Sequence, residues 1–445
     1  MDILFLTQYS GKILGPIAKY ILGPILNGIF IFLNWIKIPN VGIAIILFTI
    51  VIYLLLMPLT IKQQKFSKLQ AKMQPELQAI QKKYKDKKDQ NSQMAMNQET
   101  QAVYAKYGVS PTGSCVQLLI QMPILFALYR VIYSIPAYVT RVGNTFRVLA
   151  EKIVSQDNGE FILNATSDTM KSVATAVTQY SKNIDADLTN GIIDVLNKAS
   201  TSDIVTIANN YGLNDLTYEG ERILSTYGDN GKIIARGLID TYNNFFGMNI
   251  GNTPSYTIRN AWTNGQYLIV IAALLIPILA AVTQWLNVKL TPQSNNNQPS
   301  GNDQADQMQQ SMKAMNTFMP LFSAVMCFSL PSGLGIYWIA GAVVRSIQQV
   351  AINKYIDKMD LDAEIKKNVE KKQARLKKAG IDPNTISQNA NRSTKAVEKM
   401  TKMKEENEAK VREIKESYNN GQKKSGSIAS KANMVKEYNE RNNNK

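Results

Sequence analysis

Apolar residues along the chain gather in blocks separated by strongly charged stretches. The blocks cover residues 41–60, 114–137, 266–288, 315–330 and 333–352. A helix crossing a hydrocarbon core of ~30 Å needs about 20 mainly apolar residues. The first three blocks meet that length and the fourth is shorter. Pro331, Ser332 and Gly333 part the fourth from the fifth, as a tight turn between two membrane helices would. The pattern predicts five transmembrane helices. In residues 1–40, glycines and prolines interrupt the apolar face, which predicts a helix lying in the membrane interface.

Between the blocks the period changes. Apolar residues at 66, 69, 73, 77 and 80 have helical spacing, with Pro75 expected to kink that helix or open a new turn. A polar DKKDQNS tip and a second helix ended by Gly108 complete a helical hairpin over 61–112. Residues 140–264 contain SDTMKSVATAVTQYSKN and TSDIVTIANNYG, helical stretches opened by Ser, Thr or Asp, so a small helical domain is expected there. The tail from 354 is rich in Lys, Glu and Asn and partly lacks the apolar residues a core needs.

Charge adds an orientation. The net charge of +16 is uneven: residues 61–112 hold 10 Lys and 4 acids, 354–445 hold 23 basic residues and 14 acids, and 140–264 hold 10 basic residues and 13 acids. Cytoplasmic segments collect Lys and Arg, which sets 61–112 and the tail inside and 140–264 outside. Five spans with the N-terminus out and the C-terminus in satisfy both parity and charge. The fold class expected is an all-α integral membrane protein with five transmembrane helices, N-out/C-in, a cytoplasmic helical hairpin and a helical extracytoplasmic insert.

Polar residues inside membrane helices are costly and face a bundle interior or a wet cavity. Thr49, Tyr53 and Thr60 share one stripe of the first span, and Ser114, Gln117 and Gln121 one stripe of the second. Thr283, Gln284 and Asn287 end the third, and Gln348 and Gln349 the fifth. Given the orientation, nearly all belong to the inner half of the membrane, with Arg130 and Arg345 able to snorkel outward and inward. This describes either a groove open to the cytoplasm or ordinary interhelical hydrogen bonding.

The chemistry available is narrow. There is no histidine, and Cys115 and Cys327 both lie in apolar blocks, so neither histidine-based catalysis nor a disulfide framework is supported. No phosphate-binding GxxxxGK[ST] motif, HExxH or pair of intramembrane aspartates occurs. No cofactor and no metal are expected.

LLLMPLTIKQQKFSKLQAKMQPELQAIQKKY, YAKYGVSPTGSCVQLLIQMPILFALYRVIY and MPLFSAVMCFSLPSGLGIYWIAGAVVRSIQQ closely resemble the YidC/Oxa/Alb family of membrane protein insertases. Pro58-Leu59 before the basic helix, Gln121-Met122-Pro123, and Pro331 with Gly333-Leu334 before Tyr337-Trp338 carry the resemblance, as do residues 244–248 (NFFGM). It implies a Gram-positive-type insertase of the bacterial plasma membrane that is not an enzyme. It also implies a five-helix core and a hairpin that receives nascent membrane proteins, alone or beside the Sec translocon. Two departures stand out: the insert 140–264 is long for the family, and Tyr53 occupies a position where relatives commonly carry arginine.

The domain organisation expected is an interfacial region 1–40, spans at 41–60, 113–139 and 265–288, and a last pair over 315–353. The hairpin 61–112, the insert 140–264, a cytoplasmic loop 289–314 and the basic tail 354–445 connect and flank them. The groove would be lined by Thr49, Tyr53, Ser114, Gln117, Gln121 and Gln284. Pro331, Tyr337 and Trp338 would form part of a lateral exit. The hairpin and tail would meet the ribosome, the nascent chain and anionic lipid. Arginine at position 53 is expected to be tolerated and Tyr53→Phe to cost little. An assembly scaffold without insertion activity is the main alternative. A transporter is weaker, because neither full-depth polar residues nor an internal repeat is visible.

Overall fold

The computed structural model describes residues 14–84, 89–109, 123–124, 126–228, 233–290, 303–378, 406, 409–413, 431–432 and 435. The chain forms two compact units: residues 1–72, 112–297 and 304–361 in the first, and 73–111, 298–303 and 362–445 in the second.

In the first unit, α1 (Leu14–Trp35) is long and apolar enough to cross a membrane, more than the interfacial reading of 1–40 requires. It packs on α2 (Val41–Leu55), which Asn40 caps by accepting from the Ile43 amide at 3.1 Å. The helix stops at Leu56. α3 (Met57–Tyr84) restarts at once with Pro58 in its first turn, where the missing N–H costs little. By length and composition, α2 and α3 pass as a membrane span only as a bent pair.

α10 (Tyr267–Leu290) has the length and apolarity of a span and continues through the buried Pro277. α11 (Asp303–Ser329) holds a shorter apolar run, Thr317–Ser329, and α12 (Ser332–Asp357) follows after Pro331. The turn expected at 331–333 is tighter than predicted, because Ser332 and Gly333 already belong to α12.

The contacts fix helix directions. Along α2 and α12, Ile45 lies by Gly333 and Tyr53 by Gly341. Along α10 and α12, Ile276 lies by Gly335, and Asn287 bonds the Ala342 carbonyl at 2.9 Å. Sequence positions rise together in both pairs, so α2, α10 and α12 run parallel. Cys327 meets Gly335 across the turn, so α11 runs the opposite way.

Gly335 permits the close approach of α10 and α12. A Cβ there would stand 2.5 Å from Cγ2 of Ile276, whose branched side chain is stiff. Gly335→Val should therefore lower stability by about 1–3 kcal/mol through overpacking. Thermal unfolding in detergent reads this, and an unchanged midpoint would mean the helices are not held this close.

The insert between residues 140 and 264 is mostly helical: α5 (Thr140–Asp157), α6 (Lys171–Ala186), α7 (Leu188–Leu196), α8 (Thr201–Tyr211) and α9 (Pro254–Thr263). α6 and α8 occupy the two stretches that the sequence marks as helical. The core between them buries Phe146, Leu149, Ile153, Val173, Ile192 and Ile193. Three two-stranded antiparallel hairpins pair residues 217–218 with 221–222, 226–227 with 233–235, and 244–245 with 248–249. The all-α expectation omits them. Two turn through Glu219-Gly220 and Phe246-Gly247, all four residues at positive φ, the backbone a two-residue hairpin requires. Strands this short carry no alternating pattern for a sequence reading to find.

The insert also completes a helix end. The Ser332 amide and hydroxyl both donate to the Asn252 carbonyl at 2.9 Å, and the Gly333 amide to the Ile250 carbonyl at 2.9 Å. Amides that α12 could not satisfy internally are thereby paired.

In the second unit, the later part of α3 pairs with α4 (Gln90–Lys106), capped by Asp89. Met73, Leu77, Val103 and Tyr107 are buried together, and Ile365 of α13 (Leu361–Lys378) packs on them. One helix continues through Pro75, so the proline does not open a new one. Packing of Met73 and Leu77 on either side outweighs one lost backbone bond. Glu76 accepts from Lys106 Nζ and from the Tyr107 hydroxyl, each at 2.8 Å. The Lys106 hydrogen bond is the largest influence holding its carboxyl below the usual 4.5; burial opposes it. A depressed carboxylate stabilises the fold above its unfolded value and loses that contribution as pH falls through the folded one. The protection of α4 amides, observed exchange corrected for the intrinsic rate at each pH, should therefore fall as pH drops below about 4.5. Glu76→Gln should remove that pH dependence; the same acid profile in the variant would assign it elsewhere.

Candidate functional site

The bend at Leu56 leaves the end of α2 with carbonyls outside its helical ladder. No backbone amide takes the Tyr53 carbonyl across the break; Gln348 Nε2 of α12 does, at 2.8 Å. The Tyr53 side chain is buried, at 6% exposure. Its hydroxyl accepts from the Arg345 guanidinium, whose carbon stands 5.4 Å from the ring centroid. Gly341, one turn earlier, makes the room: a Cβ there would already be 3.3 Å from the Tyr53 ring and hydroxyl. Tyr337, on the same helix, is 3% exposed.

One turn on, Gln64 of α3 donates to Oε1 of Gln349 at 2.5 Å. Lys68 and Asp357 close the seam with a 2.8 Å ion pair at the surface. What sets the seam apart is unmet hydrogen-bonding capacity. Gln64 Oε1, Gln348 Oε1, Gln349 Nε2, Asn353 Oδ1 and the Tyr337 hydroxyl are buried with no partner among the described residues. Such atoms cost about 1–3 kcal/mol each, and proteins leave few of them. Five on one seam between α2, α3 and α12 form a strip of polar groups able to bond something that enters.

Of the residues singled out from sequence, Tyr53 and Tyr337 come together here. Tyr337 is buried on the same helix as Arg345. Trp338 is half-buried and packs against the apolar clusters. Pro331 caps α12 through its extended backbone. Thr49 is fully buried and gives its hydroxyl proton to the Ile45 carbonyl at 2.6 Å, so its donor is spent inside its own helix. Gln284 is half-buried on α10. Ser114, Gln117 and Gln121 lie outside the described residues. Gln64 and Asn353 escaped the sequence reading, which puts Gln64 in the hairpin beyond the membrane blocks and gives Asn353, the final residue of the last pair, no role. The signal was present: Arg345, Gln348, Gln349 and Asn353 continue one polar helical face past residue 352.

Residues 31–202 and 238–359 match the family model described as 60Kd inner membrane protein. The chain is 44% identical over 119 residues to the membrane protein insertase YidC of Oceanobacillus iheyensis, covering 25% of this chain and 46% of that one. It is 43% identical over 114 residues to the membrane protein insertase MisCA of Bacillus subtilis, covering 26% and 43%. With the membrane protein insertase YidC 1 of Streptococcus pyogenes serotype M6 it shares 46% identity over 99 residues, covering 22% and 36%. Each match spans less than half the length of the relative.

Proposed function

The chain belongs to the 60Kd inner membrane protein family, and from that premise we propose that it inserts nascent membrane proteins from the cytoplasm into the bacterial plasma membrane. The observation that carries this is the seam of Tyr53, Gln64, Arg345, Gln348, Gln349 and Asn353. The polar flank of an arriving segment takes hydrogen bonds from the seam while its apolar stretch partitions into lipid. Burying about 20 apolar residues is favourable enough to drive the step without nucleotide chemistry.

The parallel run of α2, α10 and α12 supports five core spans counted from α2, and the basic charge of 61–112 and of the tail supports setting those segments and the C-terminus inside. First, third and fifth crossings of such a topology share one direction, and α11 returns between the third and the fifth. The α3–α4 pair then lies in the cytoplasm with the basic tail, where both meet ribosomal RNA, the nascent chain and anionic lipid. Work beside the Sec translocon fits the same arrangement.

Proteoliposomes holding this chain alone test the reading. A single-spanning reporter added during translation should become protease-protected there and stay accessible in empty liposomes. Reporter binding without protection would overturn insertion and leave an assembly scaffold.

A further inference from the structure

The cavity beside the start of α10 holds about 600 Å³, within the range of about 300–1,000 Å³ usual for ligand sites. The hairpins over 226–235 and 244–249, α9 and the first turn of α10 supply its walls. Two of the wall residues are charged, Arg236 and Asp240. Arg236 comes from the stretch 203–237 that separates the two family-matched segments.

The two charges differ in setting and share the lack of a counter-ion. Arg236 is exposed and makes no ion pair or hydrogen bond among the described residues. Asp240 is 8% exposed and accepts from the Tyr227 hydroxyl and from Asn249 Nδ2 at 3.2 Å, both neutral donors. A carboxylate offers about four lone-pair directions, so two remain for a ligand. Burying its charge without a cation is costly, and an ammonium group entering the cavity would relieve that cost. Arg236 would take an anionic oxygen, for which its guanidinium fork is suited. The asparagines of the wall select little, because each already bonds within the protein. Asn244 accepts from the Gly247 amide at 3.3 Å and Asn249 from the Gly251 amide at 2.9 Å. Asn252 donates to Thr201 at 2.9 Å, and Asn260 accepts from Asn264 at 3.1 Å.

The position of the cavity says what else the ligand carries. Leu268, 83% exposed, and Ile269 line it where α10 begins its apolar run. Tyr267 lines it too, and its exposed ring meets the exposed Trp262 of α9 edge-on, with centroids 5.6 Å apart. Exposed Tyr and Trp at the end of a membrane helix mark the headgroup level. A ligand with an ammonium, an anion and an apolar body at that level is an aminophospholipid. Choline recognition relies instead on several aromatic faces, and Tyr267 is the one exposed ring of the described lining.

We propose that this cavity binds the headgroup of an ethanolamine-type phospholipid, its ammonium on Asp240 and its phosphate on Arg236, and so holds the insert against the outer leaflet where α10 begins. The choice of leaflet rests on the insertase reading and its orientation; the binding chemistry does not.

Native mass spectrometry of the full chain, released from detergent with one added phospholipid at a time, resolves individual bound lipids. Dioleoyl phosphatidylethanolamine should bind about tenfold more tightly than the dioleoyl choline or glycerol lipid, the effect of one charge-assisted hydrogen bond. Affinity should fall stepwise through the N-monomethyl and N,N-dimethyl lipids as N–H donors are lost, a series that needs no protein variant. Arg236→Gln should weaken the ethanolamine and choline lipids alike, and Asp240→Asn should level the two. Arg259→Gln, at an exposed position of α9 outside the lining, should change neither. Soluble glycerophosphoethanolamine should displace the lipid poorly. Equal binding of the ethanolamine and choline lipids, or affinity that rises with methylation, overturns the ammonium site. Unchanged binding in Arg236→Gln overturns the phosphate contact, and displacement by the soluble headgroup at the lipid's own affinity overturns a lipid ligand. Binding is read in detergent and insertion in proteoliposomes, so failed insertion with intact lipid selectivity would reject the function and leave this site standing.

Discussion

Replacing Gln64, Gln348 and Gln349 together with leucine is expected to raise thermal stability while bringing insertion down to the level of empty liposomes. Each of these glutamines keeps one buried polar atom with no partner among the described residues, and each such atom costs about 1–3 kcal/mol. Leucine has similar volume and no polar atom. The Gln64–Gln349 bond is lost with both of its partners, which is close to neutral. Loss of the Gln348 bond leaves the Tyr53 carbonyl unpaired and costs about 1 kcal/mol. The balance favours the variant by about 2 kcal/mol or more, with further gain if the site packs well. Insertion moves the other way, because the polar flank of a substrate would then meet an apolar seam. Opposite signs for stability and activity separate a site from a scaffold. Tryptophan fluorescence during heating gives the first quantity and protease protection the second. A triple-leucine protein that inserts at the normal rate would sink the seam as the path.

Much of this architecture is legible in the sequence, for reasons tied to particular stretches. The apolar run before Pro58 and the lysines after it mark the α2–α3 break, because proline and a sudden polarity change are local signals. The caps at Ser200 and Asp89, and Gly212 and Gly108 closing their helices at positive φ, are equally local. What stays hidden is pairing between distant positions. Nothing near Gln64 announces Gln349, 285 positions away. Tyr53 illustrates the gap: read alone, it is a position that has lost a charge. The fold returns one from 292 positions away, on a helix whose arginine seemed free to snorkel.

Arg345→Gln should therefore cut the insertion of a reporter with an acidic flank about tenfold, while leaving a neutral-flank reporter within about twofold of normal. The half-buried guanidinium at the Tyr53 hydroxyl is the cation of the seam. This neighbour also changes what substitution at position 53 does. Tyr53→Phe leaves a guanidinium N–H without its acceptor and should cost about 1–3 kcal/mol, more than the sequence alone suggests. Tyr53→Arg sets two guanidinium groups side by side. Like charges about 4 Å apart repel by about 4 kcal/mol at an effective dielectric of about 20, so the single substitution that looked tolerable should impair both stability and insertion. The pair Tyr53→Arg with Arg345→Gln restores one cation to the seam and should recover most acidic-flank insertion. That non-additivity is the signature of two groups sharing one role. A double variant no better than either single one would mean that the seam reads shape and not charge. Equal losses for acidic and neutral reporters in Arg345→Gln would make Arg345 a packing residue.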